Sequence, residues 1–227
     1  YPKPETEKTA VRAAILAVRP DILALQEVGP APYLEELRRD LALEGLEFIH
    51  SYLLEAADPE RHVAILSRIP FARVTPHAEI EFEYLDRRER VKRGLLEVGF
   101  ESANVEWTLF VVHLKSRYTD REDDPMSATR RLLEARAVRD VILDRFPRPD
   151  VARFLIAGDC NDTTDSKPLA ALQRRGKTVI TQPIPARDSR GETWTHCYRV
   201  AHTYSRVDFL LSSPGLWPCI SAQRGVI

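Results

Sequence analysis

Long apolar runs, cysteine and any excess of one charge are what this chain has least of, and each shortage excludes something. No stretch approaches the ~20 residues needed to cross a bilayer. The start Tyr1-Pro2-Lys3-Pro4 has no leader pattern, although a removed leader would leave no trace. A soluble protein without a membrane span is therefore expected, either cytoplasmic or exported after removal of a leader. Three cysteines, Cys160, Cys197 and Cys219, are too few and too scattered for a disulfide framework or a zinc cluster. Reduced thiols are expected, with one disulfide plus a free thiol as the alternative, so the compartment stays open. Lys and Arg number 33 against 34 Asp and Glu, which excludes a dedicated polybasic nucleic-acid binder and leaves room only for a local basic rim. Repeats, low-complexity tracts and Gly/Ser linkers are absent too. With 227 residues and 44% hydrophobic content, this favours one domain over residues 1–227, expected to be a monomer.

The apolar residues that are present fall into recognisable periods. Val11, Ala14, Ile15 and Val18 follow helical spacing and predict an amphipathic helix over about Glu5 to Val18, stopped by Pro20. A second helix is predicted from near Pro32, with Leu34, Leu37 and Leu41 on one face and Gly45 as its C-terminal cap. Strands are predicted at Ile22–Leu25, Phe48–Tyr52, His62–Ser67, Ile80–Tyr84, Leu95–Phe100 and Val105–His113, the last two joined as a hairpin through Glu101-Ser102-Ala103-Asn104. Ser127 is predicted to cap a long helix to about Phe146, with Leu132, Leu133, Ala135, Val138 and Ile142 inward and its arginines outward. A strand at Phe154–Ala157, a helix near Lys167–Arg175 and a strand at Val207–Leu211 complete the pattern. Helices alternating with strands early, and consecutive strands in the middle, predict a mixed sheet system with helices outside it.

Four of these strands carry one polar group each at a tip or inside an apolar run. Leu155-Ile156-Ala157-Gly158-Asp159-Cys160-Asn161-Asp162 breaks at a glycine and then presents Asp159 and Asn161, two residues apart and on one side. Such groups are costly to desolvate, so an open strand end is expected. Glu27 ends the run from Asp21, and His113 closes the row Val105, Trp107, Leu109, Val111. Asp208 is embedded between Val207 and Phe209 and needs a partner if buried. A magnesium-like ion takes hard oxygens and keeps several waters, so one or two carboxylates plus a substrate phosphate suffice. Glu27 is the first candidate ligand. Asp159 can orient or deprotonate a water or reach the ion, the Asn161 amide can donate to a phosphoryl oxygen, and His113 can contact the phosphate if an acid such as Asp208 holds its ring. Trp194-Thr195-His196 and His202 lie near the last strand and read first as packing and surface. The run Arg87-Arg88-Glu89-Arg90-Val91-Lys92-Arg93 reads as a solvated face rather than part of the site.

At these residues the chain resembles the endonuclease/exonuclease/phosphatase superfamily of metal-dependent phosphoesterases. Leu25-Gln26-Glu27 resembles its metal motif, and His113-Leu114-Lys115-Ser116 its histidine motif. Gly158-Asp159-Cys160-Asn161-Asp162 resembles its Gly-Asp-Phe-Asn-Asp motif, and Ser205-Arg206-Val207-Asp208-Phe209 its late aspartate motif. The resemblance implies an α/β (α+β) four-layer sandwich, two mixed β-sheets packed face to face with helices on both outer faces. It also implies Mg2+ or Mn2+ bound by Glu27, with Asp159 and Asn161 handling water and phosphate and His113 supported by Asp208. Cys160 departs from the usual aromatic residue, and the family's first strand and C-terminal Ser-Asp-His segment are not in the sequence. A trimmed piece of a longer enzyme, catalytically weak as given, is the expectation.

The leading function is hydrolysis of a phosphodiester, with nucleic acid the first substrate class, by one in-line attack of water. Phosphomonoesters, inositol phosphates or phospholipids of the sphingomyelin type are the alternatives within the fold, and a non-catalytic phosphate-binding module is the alternative outside enzymes. Specificity is expected in the loops Arg117–Pro125 and Gln182–Glu192.

Overall fold

A computed structural model describes residues 3–102, 105–220 and 225–227. Helix α1 (Glu5–Val18) carries Glu5 and Glu7 in its first turn, where they face the positive end of the helix dipole. It ends as Arg19 enters the left-handed region at φ 48, just before Pro20. Its inward side is Ile15 and Leu16, whereas Val11 and Val18 of the predicted stripe are exposed. The reason is its neighbour: α1 lies on α2 (Ala31–Leu43) largely through ion pairs, Lys8 to Glu36 at 2.7 Å and Arg12 to Glu44 at 2.8 Å. Gly45 closes α2 as expected, at φ +83, with the Leu46 N–H on the Leu41 carbonyl and the Gly45 N–H on that of Ala42.

Three strands, β1 (Ile22–Val28), β2 (His50–Leu54) and β3 (His62–Ser67), make an antiparallel sheet in the order β1-β3-β2. The second strand starts two residues later than predicted because Phe48, fully buried, packs under the helices before the chain extends. The chain continues through β4 (Arg73–His77), β5 (Glu81–Tyr84), β6 (Arg87–Arg90), β7 (Leu95–Ser102) and β8 (Val105–His113). Then come α3 (Ala128–Arg145), β9 (Phe154–Asp159), α4 (Lys167–Gln173) and a last long strand, Asp208–Ser212. The larger sheet runs Gln182–Pro183, Asp208–Ser212, β9, β8, β7, β4. Its mixed character lies in the parallel β8–β9 pair, for which α3 makes the crossover. The expected hairpin between β7 and β8 holds from Ser102 to Val105; its residues 103–104 lie outside the described residues.

Side-chain alternation sorts these elements into the four expected layers. Ala64 and Leu66 of β3 face α1 and α2, while Val63 and Ile65 meet Leu109 and Val111 of β8 between the sheets. On the other side of β8, Phe110 and Val112 pack with Val138 and Ile142 of α3 and Leu169 and Leu172 of α4. Gly158 permits the β8–β9 approach, since a Cβ there would sit 1.9 Å from the Val112 carbonyl oxygen and φ is +148.

Two expectations about polar residues fail for local reasons, and a third, the solvated basic face, holds over Arg87–Arg90 but not at Arg93. Ser127 makes no capping bond; Asp124 caps α3 instead, its carboxylate accepting from the N–H groups of Thr129 (2.8 Å) and Arg130 (3.0 Å). The arginines of α3 do not all face outward, because Arg131 and Glu134 are buried, 2% and 0% exposed. The basic run of 87–93 is in part strand β6, paired with β5, and Arg88, Arg90 and Glu89 are laced to Glu81, Glu79 and Arg130.

Candidate active site at the rim between the sheets

Register places three of the predicted polar groups in one row. His113 pairs with Asp159 across β8 and β9, and Asp159 pairs with Asp208 on the next strand. All three share the parity of Leu109, Val111 and Ala157, so they point between the sheets at the row's open end. Glu27 arrives from the opposite sheet. Between Leu25 and Val28 strand β1 has one residue more than β3, a bulge in which Glu27 takes φ 56, and this turns its carboxylate toward the rim. Glu27 Oε1 and Asp159 Oδ2 each lie 3.9 Å from His113 Nε2.

Asn161 is held twice. Its backbone N–H donates to Asp159 Oδ1 at 2.7 Å, an Asx turn in which Asn161 sits at φ 51, and its side-chain N–H donates to the Leu114 carbonyl at 2.9 Å. That carbonyl also accepts from Arg93 at 3.0 Å, so the loop after β9 is tied to the end of β8. Farther out, Arg131 on α3 donates to the Asp162 carboxylate (2.9 Å) and to the Lys115 carbonyl (3.1 Å), while Glu134 accepts the Lys115 N–H (2.8 Å).

His113 is not held by Asp208. Asp159's strand lies between them, which sets them about 10 Å apart at ordinary strand spacing. The ring nitrogen Nε2 instead accepts from Arg93 Nη2 at 3.2 Å. Burial, with the Arg93 cation adding to it, pulls the His113 imidazole down to about 3, so it is neutral at physiological pH. Asp159 moves the other way. Burial raises its carboxyl to about 6, the charges of Asp208 and Glu27 push in the same direction, and the Asn161 N–H and Arg93 oppose them. Cys160, fully enclosed, has its thiol pushed far up by burial and is chemically idle.

Arg93 is the residue that sequence reasoning passed over. It is 5% exposed and sits 3.8 Å from Asp58, with its Nε unpartnered among the described residues. The signal was the glycine after it: Gly94, at φ +64, turns the chain inward where the exposed basic face ends. Beside the row, Asp208, Thr195, Arg206 and Gln26 open onto a cleft of about 490 Å³ whose deeper walls are apolar.

The layers define a four-layer α/β sandwich with a row of polar side chains at one end of two facing sheets. The profile of the Endonuclease/Exonuclease/phosphatase family matches residues 3–225, and the chain belongs to that family, whose members hydrolyse phosphoester bonds. Solved structures share the fold at low identity. Sphingomyelinase C from Streptomyces griseocarneus is 18% identical with a TM-score of 0.68, covering 93% of this chain and 77% of its own. The human Nocturnin catalytic domain with bound sulfate is 16% identical, TM-score 0.65, covering 93% and 75%. A Staphylococcus aureus beta toxin mutant with bound magnesium ions is 12% identical, TM-score 0.67, covering 92% and 77%. No curated protein matches the sequence. No helix among the described residues is long and apolar enough to cross a membrane.

Proposed function

We propose that this chain is a phosphodiester hydrolase dependent on Mg2+ or Mn2+, acting by in-line attack of water. The observation that carries the reading is the meeting of Glu27 and Asp159, from different sheets, around one nitrogen of His113. Their chemistry fits a hard cation: two carboxylates share a rim where burial, and after it the charges of Asp208 and Glu27, drive Asp159 toward protonation. Among the described residues no three His, Cys, Asp or Glu gather into a cage, and Mg2+ does not need one, since it keeps waters and shares a substrate phosphate. When bound by Glu27 and Asp159, the ion supplies positive charge to the phosphoryl oxygens and eases ionisation of water.

The protein groups divide the remaining work. Ionised Asp159, fixed by the Asn161 N–H, orients the water and takes its proton. Asp208 adds negative charge next to it. The Asn161 amide uses one N–H on Leu114 and keeps the other for a phosphoryl oxygen. Neutral His113 borders the phosphate and holds Arg93, whose guanidinium offers fixed positive charge to a pentavalent transition state.

The test is an assay of the full-length gene product with Mg2+, Mn2+ or EDTA against bis(p-nitrophenyl) phosphate, p-nitrophenyl phosphate, sphingomyelin and DNA. Diester turnover abolished by EDTA is the expected result. A preference for the monoester or the lipid would replace the substrate class, and inactivity toward all of them would leave a phosphate-binding module in place of an enzyme.

A further inference from the structure

A second cleft, of about 640 Å³, has Glu27 in its wall and takes no part in the chemistry above. Its lining comes from the turn after β1, from the facing sides of α1 and α2, and from Pro59–Arg61. Tyr33 is the one aromatic residue in that lining. It stands in the first turn of α2, 42% exposed, outside the cluster that Leu34, Leu37 and Leu41 make under the helix.

Gly29 shows how the ring is held. Its φ is not positive, so the backbone does not demand glycine there. The neighbour does: a Cβ at Gly29 would stand 2.7 Å from Tyr33 Cδ2 and 3.2 Å from Cε2. The glycine is a seat for the ring, two residues from the carboxylate assigned to the metal. A half-exposed tyrosine outside the core needs no such seat for folding.

The charges around the cleft are already committed. Lys8 holds Glu36 at 2.7 Å, Arg12 holds Asp40 at 3.3 Å, Glu60 stands 3.7 Å from Arg61, and Glu27 is taken by the ion. With a single ring and no spare carboxylate, the cleft is a poor host for a quaternary ammonium, which proteins hold in cages of several rings. A planar group needs only a face to stack on and apolar neighbours, here Val11, Val28 and Pro30. We propose that this cleft is the subsite for a planar aromatic substituent of the phosphoester, a nucleobase or an aryl group, stacked on Tyr33 while its phosphate lies at Glu27. This rests on the phosphodiesterase reading for the place of the phosphate and names the chemistry of the group that the phosphate carries.

The experiment measures binding by calorimetry, with the full-length gene product in Mg2+. The probes are thymidine 5′-monophosphate, thymidine 3′-monophosphate, phenyl phosphate and phosphocholine, all products that a diesterase does not turn over. The expected result is that at least one aromatic ester binds about 10-fold more tightly than phosphocholine. Tyr33→Ala should bring the two within 2-fold by weakening the aromatic ester alone, and Tyr33→Phe should keep the preference. Gly29→Ala, which displaces the ring without removing it, should reduce the preference as well. A preference confined to the thymidine esters identifies a nucleobase, and one confined to phenyl phosphate an aryl ester. Equal affinities in the wild type, or a preference that survives Tyr33→Ala, overturn the proposal. The phosphocholine affinity of each variant reports whether the phosphate site is intact. If the preference depends on Tyr33 while no diester is turned over, the subsite stands and the hydrolase reading fails; diester turnover with no effect of Tyr33 on binding is the reverse.

Discussion

Replacing Asp159 by asparagine separates the site's chemistry from the fold's stability, because the structure makes the two pull in opposite directions. A carboxyl raised from 3.8 to about 6 binds its proton more tightly in the folded state than in the unfolded chain. The stability it lends is therefore complete below pH 3.8 and lost as pH rises through about 6. At pH 7.5 the full difference corresponds to a ceiling of about 3 kcal/mol. The Asp159 side chain is 22% exposed and keeps some water, which brings the expected effect to about 1–2 kcal/mol. Asn keeps the oxygen that accepts the Asn161 N–H and removes the charge that Asp208 and Glu27 repel. Asp159→Asn should thus be more stable than wild type in urea unfolding at pH 7.5 in EDTA, with the advantage vanishing by pH 4. Mg2+ should stabilise the wild type by mass action and the variant far less, so that added metal narrows the gap. Turnover should fall at least 100-fold. A variant less stable than wild type in EDTA, or one whose advantage does not shrink on acidification, would refute the electrostatic account of the rim.

Other perturbations probe its parts. Glu27→Gln should leave urea unfolding in EDTA within about 0.5 kcal/mol of wild type, since this side chain is 64% exposed, while Mg2+-dependent turnover is lost; retained turnover would remove Glu27 from the metal. Arg93→Met should lower kcat/KM about 100-fold through loss of a fixed donor, with Arg93→Lys recovering part of it, measured on a small diester. Titration of His113 by NMR in the metal-free protein should show a neutral ring at pH 5, its pKa standing near 3 rather than 6.5; a midpoint above 6 would contradict the burial of the ring beside Arg93. Gly158→Ala should destabilise by more than about 4 kcal/mol or prevent folding, because the new methyl would collide with the Val112 carbonyl.

What the sequence made legible follows the strength of its periodic signals. His62–Ser67 was readable to the residue because it is an apolar run cut off by polar ends, and Val105–His113 because its Val105, Trp107, Leu109 and Val111 alternate up to His113. Strand β4, Arg73-Val74-Thr75-Pro76-His77, was not, for it is an edge strand whose proline and charges hide its extension. Of the site, the strand tips were visible, since a polar residue ending an apolar run has few inexpensive places to go. Their partnerships were not. That Asp159 stands between His113 and Asp208 depends on which strands become neighbours, and strand order is a property of the whole chain. Arg93 was hidden for a related reason: a buried arginine at the end of a charged run looks like its exposed neighbours until tertiary structure encloses it.

The backbone carries a further argument that these tips were built to meet. Glu27, Asn161, Met126 and Ser127 all lie in the left-handed region, at φ 56, 51, 60 and 49, and none is glycine. Each departure costs on the order of 1 kcal/mol and persists only where surrounding contacts over-determine it. Arg19, Leu85, Asp86 and His202 share that region elsewhere in the chain, but at Glu27, Asn161 and Met126 the contacts involve groups of the rim or of the residues that support it. Glu27 is forced by the bulge against β3, Asn161 by Asp159 and the Leu114 carbonyl, and Met126 by Arg131, whose Nη1 donates to its carbonyl at 3.0 Å while Nε grips Asp162. Arg131 and Glu134, whose carboxyl burial pushes upward, are buried polar groups on a helix whose apolar neighbours alone would pack it against the sheet, and such groups bring little net stability there. Their hydrogen bonds run to Lys115 and Asp162, two residues beyond His113 and one beyond Asn161. A helix that needed only to cover the sheet would have leucine at both positions. That it has a salt-bridged arginine and a buried acid there fits a helix that also sets the distance between the two site loops.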